Sequence, residues 1–131
     1  DITSMSAKLR IAVADDELDM RDFLERVLPH IGHEVVSVAE NGRQLVEHCR
    51  QLRPDLVITD IKMPEMDGME TTRRIRADAT LRTLPIIAMT ADAMEGDRER
   101  CLAAGMDGYV AKPLDRSEFL TLIEATGGGG R

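Results

Sequence analysis

The sequence predicts an α/β fold: five parallel strands in one doubly wound sheet of order 2-1-3-4-5, with a helix after each strand. Three observations carry this. Short β-branched runs alternate with segments whose apolar residues recur at helical spacing, five times over. Strict alternation demands right-handed crossovers between parallel strands. The chain has 131 residues, which suits one domain.

The first strand, Leu9 to Ala14, stops at Asp15-Asp16. Leu18, Phe23, Leu24, Val27, Leu28 and Ile31 then mark a helix, with Asp16 as its expected N-cap. Pro29 clashes with the carbonyl four residues back and should bend or end that helix, and Gly32 fits the stop. The second strand is Glu34 to Val38. Asn41-Gly42 after it is a hairpin signal, but Leu45, Val46, Cys49 and Leu52 follow at helical spacing, so the dipeptide opens a helix instead. Arg53-Pro54-Asp55 leads into the third strand, Leu56 to Asp60, which reads as buried on both faces.

Pro64 and Asp67-Gly68 keep the next loop from continuing as strand. Met69, Thr72 and Ile75 mark a mostly polar third helix. Pro85 sits where a strand tolerates proline, at the start of Ile86 to Thr90. The fourth helix, Asp97 to Ala104, has an apolar face of only Cys101, Leu102 and small residues, so weak anchoring is expected; Gly105 stops it. Gly108 to Lys112 is the fifth strand, ended by Pro113. The last helix, Ser117 to Glu124, should turn Phe119, Leu120 and Ile123 inward, with Asp115 or Arg116 near its cap. Residues 1–7 read as a linker or cloning remnant, 8–125 as the domain, and 126–131 as a flexible glycine-rich tail.

Composition narrows the function. Aromatics are 2% of the chain, so aliphatic residues and eight methionines are expected to fill the core. The net charge is −7, and without a basic stripe direct nucleic-acid binding is not expected. No apolar run is long enough for a bilayer, and no signal peptide is visible, so a cytoplasmic domain without membrane contact is expected. Cys49 and Cys101 have no partner at metal spacing and read as reduced thiols. His30, His33 and His48 read as surface or helix-end residues.

A five-strand sheet of this order is flavodoxin-like, and its first and third strands are neighbours at the switch point. Asp15, Asp16 and Asp60 then meet at one edge. Three close carboxylates repel one another and call for a cation. All-oxygen ligands at a solvated edge suit Mg²⁺. Thr90 and Lys112 end strands at the same edge and offer a hydroxyl and an ammonium to a tetrahedral anion, while a carboxylate can act as nucleophile. Taken singly, each has a plainer reading: a helix cap for Asp15-Asp16, a strand-end Thr90, a half-buried Tyr109, a surface Lys112.

With Asp15-Asp16, Asp60 followed by Met63-Pro64 and Asp67-Gly68, Met89-Thr90-Ala91 and Lys112-Pro113 each at its own strand end, the chain resembles the receiver domain of two-component response regulators. The stretch from Met89 to Leu114 is similar to receivers of hybrid sensor histidine kinases. The resemblance implies that Asp60 accepts a phosphoryl group from a phosphohistidine of a sensor histidine kinase or a histidine phosphotransfer domain. It implies Mg²⁺ held by Asp16, Asp60 and the backbone carbonyl of Lys62, with Asp15 acting partly through water. Thr90, the Ala91 N–H and Lys112 would hold the phosphoryl oxygens. Thr90 and Tyr109 would move together and reshape the face of helix four, strand five and helix five. The Lys112-Pro113 bond would be cis. Homodimerisation on phosphorylation stays open.

Asp92 stands where such receivers often carry Asn, and Lys62 and Asp92 are expected to pair across the site and alter the acyl-phosphate lifetime. The alternatives are a Mg²⁺-dependent phosphatase with an aspartate nucleophile, a flavin carrier, and a degenerate receiver that only docks. Against the first, Lys62 occupies the place of its second acid; against the second, Asp15-Asp16-Glu17 would repel a flavin phosphate.

Overall fold

The computed structural model describes residues 8–91 and 94–127. Five strands and five helices alternate along the chain. They are β1 (Arg10–Ala14), α1 (Leu18–His30), β2 (Glu34–Ala39), α2 (Gly42–Leu52), β3 (Leu56–Asp60), α3 (Gly68–Ala77), β4 (Ile86–Thr90), α4 (Asp97–Ala104), β5 (Gly108–Ala111) and α5 (Arg116–Gly127). The sheet runs β2-β1-β3-β4-β5, with every pairing parallel. The fold class is the one predicted.

Side-chain alternation gives the inner strands β1, β3 and β4 two buried faces. Ala12, Ala14, Val57 and Ala88 pack under Leu45, Val46 and Cys49 of α2, Ile75 of α3 and Cys101 of α4. Ile11, Val13, Ile58, Ile87 and Met89 pack under Leu24 and Leu28 of α1 and Phe119 and Ile123 of α5. All of β3 is buried, Asp60 included, as a central strand covered on both sides must be.

Local signals account for most boundaries. Asn41 caps α2 by accepting the Gln44 N–H at 2.9 Å, Asp67 caps α3 through the Glu70 N–H at 2.9 Å, and Asp115 caps α5 through the Glu118 N–H at 2.9 Å. Gly105 ends α4 in the left-handed region, φ 110°.

Six expectations change. Asp16 does not cap α1: Glu17 holds the N-cap position without a side-chain bond, and Asp15 accepts the Glu17 N–H at 2.9 Å. Leu18, at the first position of α1, is 61% exposed and outside the core. Leu120 is only half-buried, and Leu122 packs on the core instead. The last helix reaches Gly127, two residues past the expected domain limit of 125, and a Cβ on Gly127 would stand 2.7 Å from Leu9 Cδ1. Among the described methionines only Met63, Met89 and Met106 are buried, and Met94 is 63% exposed. His33 is buried, its Nδ1 accepting the Leu9 N–H at 3.1 Å. Both cysteines are free, buried thiols, and burial pushes Cys49 up to about 12. Among the described residues no helix is long and apolar enough to cross a membrane.

Candidate functional site

Strand register assembles the site. Ala14 pairs with Thr59, so Asp15 leaves β1 beside Asp60, the last residue of β3. Asp60 pairs with Met89, and Thr90 pairs with Ala111, so Thr90 and Lys112 leave β4 and β5 at the same level. The fifth strand ends one residue earlier than expected, which places Lys112 in the loop rather than in the ladder. Its N–H still donates to the Thr90 carbonyl at 2.8 Å, and the Lys112–Pro113 peptide is cis.

Asp15, Asp16 and Asp60 each place one carboxylate oxygen within 4.8 Å of the other two. Asp15 is fully buried, Asp60 is 6% exposed and Thr90 3%. Lys112 Nζ donates to Asp15 Oδ2 at 2.8 Å and lies 3.7 Å from Glu17 Oε1 and 3.8 Å from Asp60 Oδ2. Asp16, Glu17, Asp60, Lys62, Thr90, Ala91 and Lys112 line a cleft of about 180 Å³.

The electrostatics follow from crowding. Burial first, then the charges of Asp15 and Asp16 and a hydrogen bond to Asp16, push Asp60 up to about 6, against the pull of Lys112. Burial alone would lower Lys112, but the hydrogen bond to Asp15 and the charges of Asp60, Asp15 and Glu17 outweigh it and raise the ammonium above its ordinary value. Asp15, Asp16 and Asp60 set against Lys112 leave two negative charges, the deficit one divalent cation balances. The donor set is all oxygen, and crowding disfavours the ionised form of Asp60 unless a cation offsets it. The residues therefore fit a hard divalent ion.

Tyr109 does not enter the cleft. It packs half-buried against the Cys101 side of the core. Asp92 lies outside the described residues, and so does its expected pairing with Lys62. Glu17 was not expected at the site as a cleft wall. Its adjacency to the acid pair is the only signal in the sequence, and a third acid at the mouth of a helix reads first as a dipole complement.

Comparison with known proteins agrees with this geometry. The family model of the response regulator receiver domain matches residues 11–124. The polar-differentiation response regulator DivK of Brucella anthropi is 37% identical over 113 residues, covering 86% of this chain and 90% of that protein. Among solved structures, the receiver domain of a Pseudomonas aeruginosa sensor histidine kinase, with a magnesium ion coordinated in its active site cleft, is 38% identical. Its TM-score is 0.84, with 95% of this chain and 100% of that one covered. The receiver domain of a signal transduction histidine kinase from Syntrophus aciditrophicus is 30% identical with a TM-score of 0.84, over 94% of this chain and 92% of that one.

Proposed function

The chain belongs to the response regulator receiver domain family, and on that premise we propose that it is a phosphorylation-controlled switch whose acceptor is Asp60. The observation that carries the reading is the meeting of three acids and one lysine at the edge where β1, β3 and β5 end. The phosphoryl donor is a phosphohistidine of a histidine kinase or of a histidine phosphotransfer domain.

Asp60 is the nucleophile. Its carboxylate oxygen forms a bond to phosphorus as the P–N bond of the donor breaks, and the electron pair leaves with the imidazole. The product is an acyl phosphate on Asp60. Asp16, Asp60 and the Lys62 carbonyl would hold Mg²⁺, with Asp15 acting partly through water. The ion supplies charge neutralisation for the attacking carboxylate and the transferring phosphoryl oxygens. Lys112, already within 3.8 Å of Asp60, pairs with a phosphoryl oxygen. The Thr90 hydroxyl and the Ala91 N–H hold the others. Drawing Thr90 toward the phosphoryl group makes room behind it for Tyr109, and the α4–β5–α5 face changes shape.

The domain is not a turnover enzyme in this reading. It assists its own phosphorylation and the later hydrolysis of the acyl phosphate. The magnesium-bearing Pseudomonas receiver supports the choice of ion, and the histidine-kinase receivers among its relatives support the choice of partner.

Incubation with Mg²⁺ and acetyl phosphate is the test. The wild-type protein gains the mass of one phosphoryl group and shifts amide resonances around Thr90, Tyr109 and α4, and Mg²⁺ with beryllofluoride gives the same NMR pattern. Asp60→Asn does neither. A phosphorylated Asp60→Asn, or a wild type inert to both reagents, removes the assignment.

A further inference from the structure

The loop that leaves Asp60 is closed on itself and pinned from outside. The Gly68 N–H donates to the Ile61 carbonyl at 2.7 Å, and a Cβ on Gly68 would stand 2.6 Å from the Asp60 carbonyl oxygen. The segment carrying Lys62 is thus a short ring that starts and ends against Asp60. The outside pin is the first turn of α2. The Gly42 N–H donates to the Met66 carbonyl at 3.2 Å. A Cβ on Gly42 would stand 2.0 Å from Thr71 Oγ1 and 2.4 Å from the Met66 carbonyl oxygen. Thr71 Oγ1 is itself committed, donating to the Asp67 carbonyl at 2.7 Å. The neighbouring Arg43 pairs with Glu65, a non-glycine residue held at φ 66°.

No residue of this seam belongs to the acid cluster, yet the seam sets where the ring sits. We propose that Gly42 is a positioning residue for the ion-binding cleft: its missing side chain lets α2 seat the Asp60 loop at the height where the Lys62 carbonyl can complete the coordination. The inference rests on the reading that the cleft holds Mg²⁺. An alanine at position 42 must drive the Met66 carbonyl from 2.4 Å to beyond about 3.0 Å from the new Cβ, and that oxygen is backbone, so rotating a side chain gives no relief. The displacement enters the ring four residues after Lys62. Mg²⁺ accepts ligands only in near-ideal octahedral geometry at about 2.0–2.1 Å, whereas Ca²⁺ tolerates about 2.3–2.6 Å and irregular shells. A shifted loop therefore discriminates between the two ions, which a general loss of stability does not.

The experiment is titration calorimetry of Mg²⁺ and of Ca²⁺ into the folded wild type and Gly42→Ala, with thermal melts of the metal-free proteins alongside. Gly42→Ala is expected to weaken Mg²⁺ binding by about tenfold or more, within the range for groups that orient ligands, and Ca²⁺ binding by less than about threefold. Should Gly42→Ala fail to fold, Glu65→Gly tests the same seam: it keeps the left-handed backbone, removes the Arg43 pair and loosens the ring, with an expected loss of about threefold for Mg²⁺ and little for Ca²⁺. Variants that bind Mg²⁺ as the wild type does, or that lose both ions equally, overturn the inference alone. A wild type that binds no Mg²⁺ at millimolar concentration overturns the underlying reading and this inference with it.

Discussion

Two partly buried charge networks sit at opposite ends of the sheet, and they use the same chemistry to opposite effect. At the amino end of β4, Arg76 donates to the carbonyls of Gly105, Arg82 and Leu84 at 3.0, 3.0 and 2.7 Å and to Asp107 Oδ2 at 2.9 Å. The same Asp107 oxygen accepts the Ile86 N–H at 2.9 Å. The Arg76 guanidinium meets the Asp107 carboxylate, and neutral carbonyls take up other donors. At the carboxyl end, Lys112 faces the carboxylates of Asp15, Asp16, Asp60 and Glu17. The first network is balanced and ties α3, β4 and the turn into β5 together. The second carries a charge surplus that folding cannot remove, and that surplus is what makes it able to bind. A buried ion pair is neither structural nor functional by type; the count of charges against partners decides.

The comparison is broken or sharpened by substitution at each end. The largest effect is expected from Arg76→Ala, which takes the guanidinium away from Asp107 and three carbonyls. Chemical denaturation should show a loss of about 3 kcal/mol, the lower end of the range for removing one member of a buried pair, because this pair is partly exposed. A loss near that of a surface pair would dissolve the contrast.

Asp60→Asn should do the reverse in the metal-free protein. A carboxyl held at about 6 in the folded state against 3.8 unfolded binds more protons when folded. Its contribution is therefore fully present below pH 3.8 and is lost as pH rises through about 6. That difference corresponds to about 3 kcal/mol at pH 7. Asp60→Asn should recover up to that amount at pH 7, and its advantage should vanish near pH 4 in denaturation curves taken without Mg²⁺. An advantage that persists unchanged at pH 4 means that packing, not charge, is responsible.

Lys112→Met separates ion binding from phosphoryl transfer. Taking away the ammonium that pairs with Asp15 makes the cleft more negative, so calorimetry should show Mg²⁺ bound severalfold more tightly, while phosphorylation by acetyl phosphate is lost. The smallest effect is expected at His33, whose ring burial lowers below its ordinary value, against the pull of Glu124. A group depressed in the folded state costs stability as pH falls below its unfolded value of 6.5. This trend is opposite to that of Asp60 and should emerge alone in the Asp60→Asn background; an NMR titration should place the His33 midpoint below that of free histidine.

How much was legible in the sequence differs between these two ends as well. The acidic end announces itself, because Asp15-Asp16, Asp60, Thr90 and Lys112 each stop a strand-like run, and topology alone brings strand ends together. The amino-end network does not. Arg76 belongs to the run Arg73-Arg74-Ile75-Arg76, which reads as a solvated helix face. Arg73 and Arg74 do face solvent and pair with Glu70; only the packing of α3 against the turn into β5 draws Arg76 inward. The cap of α1 was misplaced for a related reason: Asp15 and Asp16 are equally plausible caps by type, and the ladder bond from the Asp15 N–H to the Ala39 carbonyl at 3.1 Å settles which carboxylate faces the helix.

By itself the sequence determined the alternation of elements, the order of the sheet and the edge where the acids gather, because periodicity, caps and crossover handedness are local or nearly local rules. Only the tertiary structure decided which charges are balanced and which are left over, which oxygen of which acid meets Lys112, and that Gly42 is the point where α2 bears on the Asp60 loop. Those are distances between residues far apart in the chain, fixed by close packing at the scale of a single methyl group.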